Sequence, residues 1–313
     1  FLDIGQGDST LIVTEDLHTV LIDGGPGETV LERLGEELPF FVRDIDLVVL
    51  THPHRDHVEG LIEVLRRYRV RHVLISGDEY ESGLYAEFLR LAHELEVRGE
   101  LALHFAQAEK DFQVSDLYFD VLYPITIVAG REFGNTNNAS VVMKMSYASK
   151  NIRSSLPKKG SSPDSKNENG LYEPSNDGES VRPNTFLFTG DCEKECEEEI
   201  LRHYDTMSHN DSELLNSHDL VRLPGKGQSV SQAMTDLSIF LDADVLKIGH
   251  HGSRTSTSQA LLDAVSPTIA IIQSGEGNTY EHPHSETLEK LKNVGVEVHR
   301  NDLEGTVTIR IHN

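Results

Sequence analysis

A short histidine-rich segment is the part of this sequence best suited to chemistry. It reads Thr51-His52-Pro53-His54-Arg55-Asp56-His57 and directly follows the apolar run Leu47-Val48-Val49-Leu50. Two histidines two residues apart can bind one metal ion, and the Asp and His that follow can bind a second ion nearby. Imidazole and carboxylate ligands together are typical of zinc sites and of two-metal hydrolytic centres. The segment therefore predicts a metal centre that performs hydrolysis.

Hydrolysis at such a centre needs a nucleophile and a proton donor. Two divalent ions that share one water lower its pKa toward neutrality, which yields a bridging hydroxide, and they also neutralise the charge of a phosphodiester. Histidine suits the donor role because its pKa lies near neutral pH. The candidates are His251, His282 and His284. The last two flank Pro283 before a predicted helix at Ser285, and the alternative is a structural turn with surface histidines.

Two further features have ordinary explanations when each is taken alone. Asp191 follows Gly190, and a Gly-Asp pair after a strand usually marks a turn. Cys192 and Cys196 are the two cysteines of the chain, and a spacing of four lets them share one helix face. Because a cysteine pair without partners is weak evidence for metal, we expect both to be ordinary buried thiols.

Length and composition describe an ordinary globular chain. The 313 residues are 37% apolar and 26% charged, which allows one large or two modest domains with a well-buried core. No apolar run approaches the roughly 18 residues that would suggest a membrane span. The first residue is Phe and no signal segment follows it, so we expect that the chain was excised from a longer one or that its true start is missing. Cellular location and oligomeric state are left open by these patterns.

The charge balance is strongly acidic. Fifty-two acidic against 28 basic residues give a net charge of -24. The simplest explanation is a solvated acidic surface that promotes solubility. The average field would repel a polyanion such as DNA, so any nucleic-acid substrate must be held by metals and a local basic patch.

The elements that must position the metal cluster alternate between strand-like and helix-like runs. The predicted strands are 10–13, 19–23, 47–50, 73–75, 101–105, 117–122, 140–147, 185–189, 245–248, 268–273, 296–298 and 306–311. The predicted helices are 28–38, 58–68, 81–97, 193–204, 258–265 and 285–294. Early strands follow one another as hairpins and later ones alternate with helices, which favours a mixed-sheet α/β architecture.

Two segments interrupt this alternation. Residues 148–184 are rich in Ser, Asn, Gly, Pro, Lys and Glu and contain almost no large apolar side chain. Such a stretch buries too little surface to offset its ordering entropy, so we predict a disordered insertion in a single domain of residues 1–313. Residues 207–228 are interpreted as a second, shorter insertion. The alternative for the long segment is a binding lid.

Several motifs together resemble one family. The pattern His52-x-His54-x-Asp56-His57 is similar to the signature of the metallo-β-lactamase superfamily. Further segments look like those of the C-terminal domain of ComEC-type DNA-uptake (competence) proteins, and they lie at 1–9, 21–25, 137–140, 188–191, 247–253 and 278–284. The match covers nearly the whole chain outside the two insertions. The resemblance implies an α/β protein with the αββα four-layer sandwich of the metallo-β-lactamase fold and a site at one edge.

The resemblance also implies a ligand set. The implied ligands are His52 and His54 for a first ion, Asp56, His57 and a histidine of the 250–251 pair for a second ion, and Asp191 as a bridge. We favour His250 as the ligand because it comes first after the strand, which leaves His251 facing the substrate. Asp23 and Asp8 would orient ligands rather than bind metal themselves.

One departure from the wider superfamily affects the first ion. Many members supply a further histidine from the middle of the chain, where this sequence has Asn135-Thr136-Asn137-Asn138. Asn138 could offer an amide oxygen, or water could fill the position. Either change makes the site harder, which shifts the expected pair of divalent ions from Zn²⁺ toward Mn²⁺ or Mg²⁺.

The function implied by this reasoning is metal-dependent hydrolysis, most specifically by a phosphodiesterase or nuclease acting on DNA. In the competence family this domain is thought to degrade the strand that is not imported. One alternative keeps the metal-dependent hydrolase and changes the bond to a lactone, β-lactam, thioester or phosphorylcholine ester, because loops decide the substrate on a shared fold. Another is a non-catalytic interaction module with a degenerate metal site.

Overall fold

The structure is a computed structural model that describes residues 1–147, 185–215 and 238–311. The strands are β1 (Thr10–Val13), β2 (Thr19–Ile22), β3 (Asp44–Leu50), β4 (Arg69–Ile75), β5 (Ala102–Phe105), β6 (Phe112–Val114), β7 (Leu117–Tyr123), β8 (Val142–Tyr147), β9 (Thr185–Phe188), β10 (Val245–Lys247), β11 (Ile269–Ile272) and β12 (Glu297–Arg300). The helices are α1 (Thr29–Glu37), α2 (Arg55–Arg67), α3 (Gly83–Val97), α4 (Lys194–Leu215), α5 (Ser238–Leu241), α6 (Gln259–Val265), α7 (Ser285–Val294) and α8 (Asn301–Glu304). Single 3-10 turns lie at Thr136–Ala139 and Gly249–Gly252.

The strands form two mixed sheets. The first has the order β1-β2-β3-β4-β5, with an antiparallel β1–β2 pair and parallel neighbours after it. The second has the order β12-β11-β10-β9-β8-β7-β6, parallel from β12 to β9 and antiparallel beyond. Residues 47–50 are all buried, as expected for a central strand covered on both faces.

The core shows that the two sheets face each other between helical layers. Val20 and Val49 of the first sheet share one buried cluster with Phe119, Met143 and Ile271 of the second. The other face of the first sheet packs against α1, α2 and α3, and the other face of the second packs against α4, α6 and α7. The layers are therefore helix, sheet, sheet, helix, which confirms the expected αββα sandwich.

Helix α2 carries part of the histidine-rich segment and lies unusually close to the loop after β2. Its buried residues Val58, Leu61 and Leu65 recur at helical spacing and face the core. A Cβ atom built on Gly60 would lie 2.1 Å from the carbonyl oxygen of Gly24. Glycine at both contact positions therefore lets the first turns of α2 approach the loop after β2.

Several element boundaries differ from the expectation. Helix α2 begins at Arg55 rather than at residue 58, so Asp56 and His57 belong to its first turn instead of a loop. Residues 306–311, expected as a strand, are not assigned to one, whereas β6 and α8 were not anticipated. These elements are short, and their backbone conformation depends on neighbours distant in sequence.

The two expected insertions are described only in part. Helix α4 extends to Leu215, so residues 207–215 continue a helix instead of beginning an insertion. The rest of that segment up to residue 228 lies outside the described residues, as does the whole of 148–184. Among the helices of the described ranges, none is long and apolar enough to cross a membrane.

Candidate metal centre

The histidine-rich segment joins the end of β3 to the first turn of α2. His54 is the residue that precedes α2, with an extended backbone, and Asp56 lies in the first helical turn. A carboxylate is favourable there because the amino terminus of a helix carries partial positive charge. His52 and His57 are fully buried, and the ring Nε2 of His52 lies 3.0 Å from His54 Nδ1. The imidazole rings of this segment therefore lie close together.

Asp23 lies directly behind this segment. It follows β2 with a φ of +58° and is buried. Its carboxylate accepts hydrogen bonds from the Thr51 backbone N–H at 2.8 Å and from Thr51 Oγ1 at 2.7 Å. The same carboxylate lies 2.9 Å from His57 Nδ1, which directs His57 Nε2 toward the centre. Asp23 therefore fixes the orientation and the tautomer of His57.

Asp191 enters from the other half of the chain, two residues beyond Thr189. Its Oδ2 atom lies close to the Nε2 atoms of four imidazoles: 3.7 Å from His52, 3.3 Å from His57, 3.8 Å from His250 and 3.5 Å from His251. The carboxylate is buried, with 2% of the residue exposed. A residue that suggests only a turn in sequence thus lies at the midpoint of the imidazole group.

The adjacent residues His250 and His251 lie in different surroundings. Both have positive φ angles, 47° and 53°, in the 3-10 turn after β10. His251 is 1% exposed; its Nε2 lies 3.2 Å from Asp56 Oδ2, and its Nδ1 lies 3.0 Å from the carbonyl oxygen of Gln273. The side chain of His250 is 24% exposed, and its Nδ1 lies 2.9 Å from Glu193 Oε1. The geometry favours His251 as the buried ligand, with His250 on the open side.

The asparagine turn that replaces the missing histidine presents Asn137 rather than Asn138. The Oδ1 atom of Asn138 accepts the Glu193 N–H at 3.1 Å, and its amide group donates to Glu195 at 3.2 Å. Asn137 is buried, its Nδ2 donates to Glu193 Oε1 at 3.1 Å and lies 3.4 Å from His250 Nδ1, and its Oδ1 has no hydrogen-bond partner among the described residues. The amide oxygen of Asn138 is thus already engaged, which disfavours it as a ligand.

Two residues of this site were not anticipated from sequence. Lys247 is a buried lysine that forms an ion pair with Asp8 and donates to the Gly190 carbonyl at 3.1 Å. Asp8 Oδ1 in turn lies 3.1 Å from His251 Nδ1. The signal in the sequence is a single lysine at the end of the apolar strand β10. Glu193, which contacts both Asn137 and His250, gave no signal among many surface glutamates.

The second pair of candidate donors is divided between the centre and the surface. The centroids of the His282 and His250 rings lie 5.4 Å apart, and the buried His282 Nδ1 has no hydrogen-bond partner within residues 1–147, 185–215 and 238–311. Burial and the neighbouring His251 lower the pKa of His282 to about 4. His284 instead lies beside Arg254, with 3.0 Å between His284 Nε2 and Arg254 Nη2. His282 therefore faces the centre, whereas His284 contacts an exposed arginine.

The two cysteines are joined by a disulfide, so the expectation of free thiols was wrong. Cys192 and Cys196 are each 1% exposed, and their Cα atoms lie 5.5 Å apart. Cys192 lies two residues before α4 and Cys196 lies in its first turn, so the entry of the chain into the helix brings the two sulfur atoms within bonding reach. The bridge ties the residue after Asp191 to the first turns of α4.

The donor set fits divalent cations. Groups of ligand atoms within 4.8 Å of one another include His52, His57 and Asp191, and also Asp56, His57 and His251. Two of the buried atoms here, His57 Nε2 and Asp191 Oδ1, lack a hydrogen-bond partner in the described part of the chain. Such buried polar atoms call for a partner. Burial opposes a charged His57, yet the carboxylates of Asp191 and Asp23 raise its pKa well above the usual value. Surroundings that stabilise an imidazolium this strongly also attract a metal cation.

Comparison with known proteins finds similarity to one superfamily over part of the chain. Residues 2–131 match the family model of the metallo-β-lactamase superfamily. The chain is 26% identical over 329 residues to ComE operon protein 3 of Bacillus subtilis (strain 168), covering 100% of this chain and 33% of that protein. It is 26% identical over 315 residues to Recombination protein 2 of Haemophilus influenzae, covering 98% of this chain and 28% of that protein. The chain thus spans about a third of the length of these relatives.

A solved structure with related architecture is the metallo-β-lactamase fold protein YhfI from Bacillus subtilis. The likeness has a TM-score of 0.47 with 11% sequence identity and covers 94% of this chain and 88% of that one.

Proposed function

We propose that this chain, of which residues 2–131 match the model of the metallo-β-lactamase superfamily, is a metal-dependent phosphodiesterase that cleaves DNA. The observation that carries the proposal is the position of Asp191, whose Oδ2 lies within 3.8 Å of four imidazole nitrogens from both halves of the chain. A carboxylate so placed is suited to bridge two cations. Such a centre would let this acidic chain bind an anionic substrate, because the cations offset the negative charge of a phosphodiester.

The ligand assignment follows the burial of each side chain. His52 and His54 would hold one ion, and Asp56, His57 and His251 would hold the other, with Asp191 shared between them. When bound, two divalent ions supply Lewis acidity and lower the pKa of a water at the centre. Asp23 holds His57, and Asp8 with the Gln273 carbonyl holds His251, so that Nε2 of each ring faces inward.

The departing oxygen needs a proton, and His250 is the best-placed residue to supply it. Its Nδ1 is held by Glu193 at 2.9 Å, and its Nε2 lies 3.8 Å from Asp191 Oδ2 on the open side of the centre. His282 is the less suitable donor, because its lowered pKa of about 4 leaves it neutral near pH 7. Glu193 fixes the ring of His250, as a carboxylate does in other histidine pairs.

The substrate class is supported by the two relatives, whose names refer to the ComE operon and to recombination. Nearly the whole of this chain, including the ligand-bearing segments, aligns with a third or less of each relative. DNA is therefore the substrate that we propose. In the proposed group for the second ion, the buried His57 and His251 are each held by a carboxylate, which favours a working centre over a degenerate one.

A substrate panel tests the proposal. The chain is stripped of metal with EDTA, reloaded with Mn²⁺ or Zn²⁺, and assayed on bis(p-nitrophenyl) phosphate, single-stranded DNA, nitrocefin and a lactone. We expect metal-dependent cleavage of the two phosphodiesters, with Mn²⁺ at least as effective as Zn²⁺. Hydrolysis of nitrocefin or the lactone, without cleavage of either phosphodiester, would contradict the proposal and favour a β-lactam or lactone hydrolase instead.

Two variants and a control complete this test. We expect His54→Ala and Asp191→Asn to reduce hydrolysis to background while circular dichroism shows the folded protein. His93→Ala serves as the matched control, because its side chain is 72% exposed on α3, outside the ligand groups. Full activity in Asp191→Asn would contradict the bridging role.

A further inference from the structure

A cleft lies beside the metal centre at the carboxyl end of β4. It has a volume of about 510 Å³, a size typical of sites for small ligands. The segment after β4, the start of α3 and the loop at residues 129–130 line it, together with Phe105 of β5. Tyr80 belongs both to the cleft and to the edge of the centre, since its ring centroid lies 5.3 Å from that of His54. A group in the cleft is thus adjacent to whatever the centre binds.

Two aromatic side chains give the cleft planar, solvent-facing walls. Tyr80 is 37% exposed and Phe105 is 45% exposed, although burial would be the favourable state for both. Gly77 supports the Phe105 wall: it has a φ of +81°, and a Cβ atom on it would lie 2.5 Å from the phenyl ring. The cleft therefore offers aromatic faces on which a flat ligand can stack.

A buried carboxyl group lacks one of its partners in this cleft. Asp78 is 2% exposed and lines the cleft. Its Oδ1 accepts the Ser76 hydroxyl at 2.7 Å, whereas Oδ2 is buried with no hydrogen-bond partner in the described residues. Buried polar atoms are nearly always paired, so Oδ2 calls for a donor. The donor must be an N–H or O–H group.

The charge at the cleft mouth limits which part of a ligand can enter. Glu79 and Glu81 are exposed residues of the lining, and both carry negative charge at neutral pH. They repel phosphate groups, which disfavours an anion in the cleft itself. A planar, uncharged group with an N–H donor meets all three requirements. It can stack on the aromatic side chains, it can donate to Asp78 Oδ2, and it is not repelled by the acidic residues at the mouth.

We propose that this cleft binds the nucleobase next to the scissile phosphate of single-stranded DNA, with Tyr80 as its stacking surface and Asp78 Oδ2 accepting from an exocyclic amino group. The inference rests on the proposed function and names its substrate class. Single strands are required because stacking faces are covered in a duplex. Cytosine, adenine and guanine carry an exocyclic amino group, whereas the only N–H of the thymine base lies between two carbonyl oxygens that a carboxylate repels.

Equilibrium binding separates this inference from the proposed function. Fluorescence anisotropy is measured with labelled oligo-dC and oligo-dT, and bis(p-nitrophenyl) phosphate hydrolysis is measured in parallel. We expect the wild-type chain to bind oligo-dC about five- to tenfold more tightly than oligo-dT, the effect of one buried hydrogen bond. Binding is read out even if hydrolysis is absent, so failure of the function and failure of the cleft are distinguishable.

Variants of the cleft residues test whether Asp78 causes the preference for oligo-dC over oligo-dT. Asp78→Asn should lose or reverse the preference for oligo-dC, because an amide can also donate to the thymine carbonyl, while circular dichroism shows the folded protein. Glu81→Gln is the matched control: it also removes one negative charge, but at the mouth of the cleft, and it should keep the preference for oligo-dC. Equal binding of the two oligonucleotides by the wild type, or an Asp78→Asn chain with an unchanged preference, would show that Asp78 pairs only with a buried water and would overturn the inference.

Discussion

His251 and Asp56 contact each other across 195 residues of sequence, with 3.2 Å between His251 Nε2 and Asp56 Oδ2. Asp56 belongs to the first turn of α2, and His251 belongs to the 3-10 turn after β10. The contact joins the two halves of the sandwich at the candidate metal centre. It also distinguishes the buried His251 from its neighbour His250, whose Nδ1 contacts Glu193 instead.

The first prediction concerns the metal content of two neighbouring histidine variants. His251→Ala should lose one of the bound ions, because a buried ligand is removed. Its affinity for that ion should fall by more than about a hundredfold, since even residues behind the ligands typically contribute ten- to a hundredfold. His250→Ala should retain both ions and lose roughly a hundredfold or more in phosphodiesterase rate. Elemental analysis and chelator competition measure the difference, and the opposite pattern would restore His250 as the ligand.

The second prediction concerns the buried ion pair between Lys247 and Asp8. Lys247→Met should destabilise the metal-free chain by about 3–5 kcal/mol, because it leaves the buried Asp8 charge without its partner. Urea unfolding followed by circular dichroism measures the change. The double variant Asp8→Asn with Lys247→Met removes both charges and should recover part of this loss. A single variant as stable as the wild type would show that Asp8 does not need the lysine.

The third prediction concerns the disulfide between Cys192 and Cys196. Its reduction should lower the free energy of unfolding by about 2 kcal/mol, the value expected for a short closed loop. Because the bridge adjoins Asp191, the reduced chain should also bind metal more weakly. Urea unfolding and chelator competition are compared with and without dithiothreitol. The Cys192→Ala, Cys196→Ala double variant should behave like the reduced chain and show no response to the reductant; a response there would assign the effect to another cause.

The fourth prediction concerns pH and Asp78. Burial raises the pKa of Asp78 to about 6, so the folded chain favours the protonated carboxyl. This contribution is fully present below the unfolded value of 3.8 and is lost as the pH rises through about 6. Asp78→Asn lacks it, so the unfolding free energy of the variant relative to the wild type should increase by about 2–3 kcal/mol between pH 3.5 and pH 7.5. Metal-free protein is used for both chains, and a difference independent of pH would contradict the raised pKa.

Much of the fold could be predicted because its cause is local. The buried run 47–50 and the helical spacing of Val58, Leu61 and Leu65 are visible in sequence and form the expected elements. The short strand β6 and helix α8 were missed, because so few residues carry no periodic pattern that distinguishes them. Residues 306–311 read as a strand in sequence, yet pairing with a neighbour decides whether such a run becomes one.

The candidate site divides in the same way. The types and spacing of His52, His54, Asp56 and His57 were sufficient to predict a metal centre, since six consecutive residues at the end of a strand must lie close together. Tertiary structure alone decided that Asp191 is more than a turn residue and that His251 rather than His250 is buried. Those outcomes depend on which strands pair, on how the loops after β9 and β10 turn, and on which charges are buried together. Side chains that are distant in sequence meet only when the whole sandwich has packed.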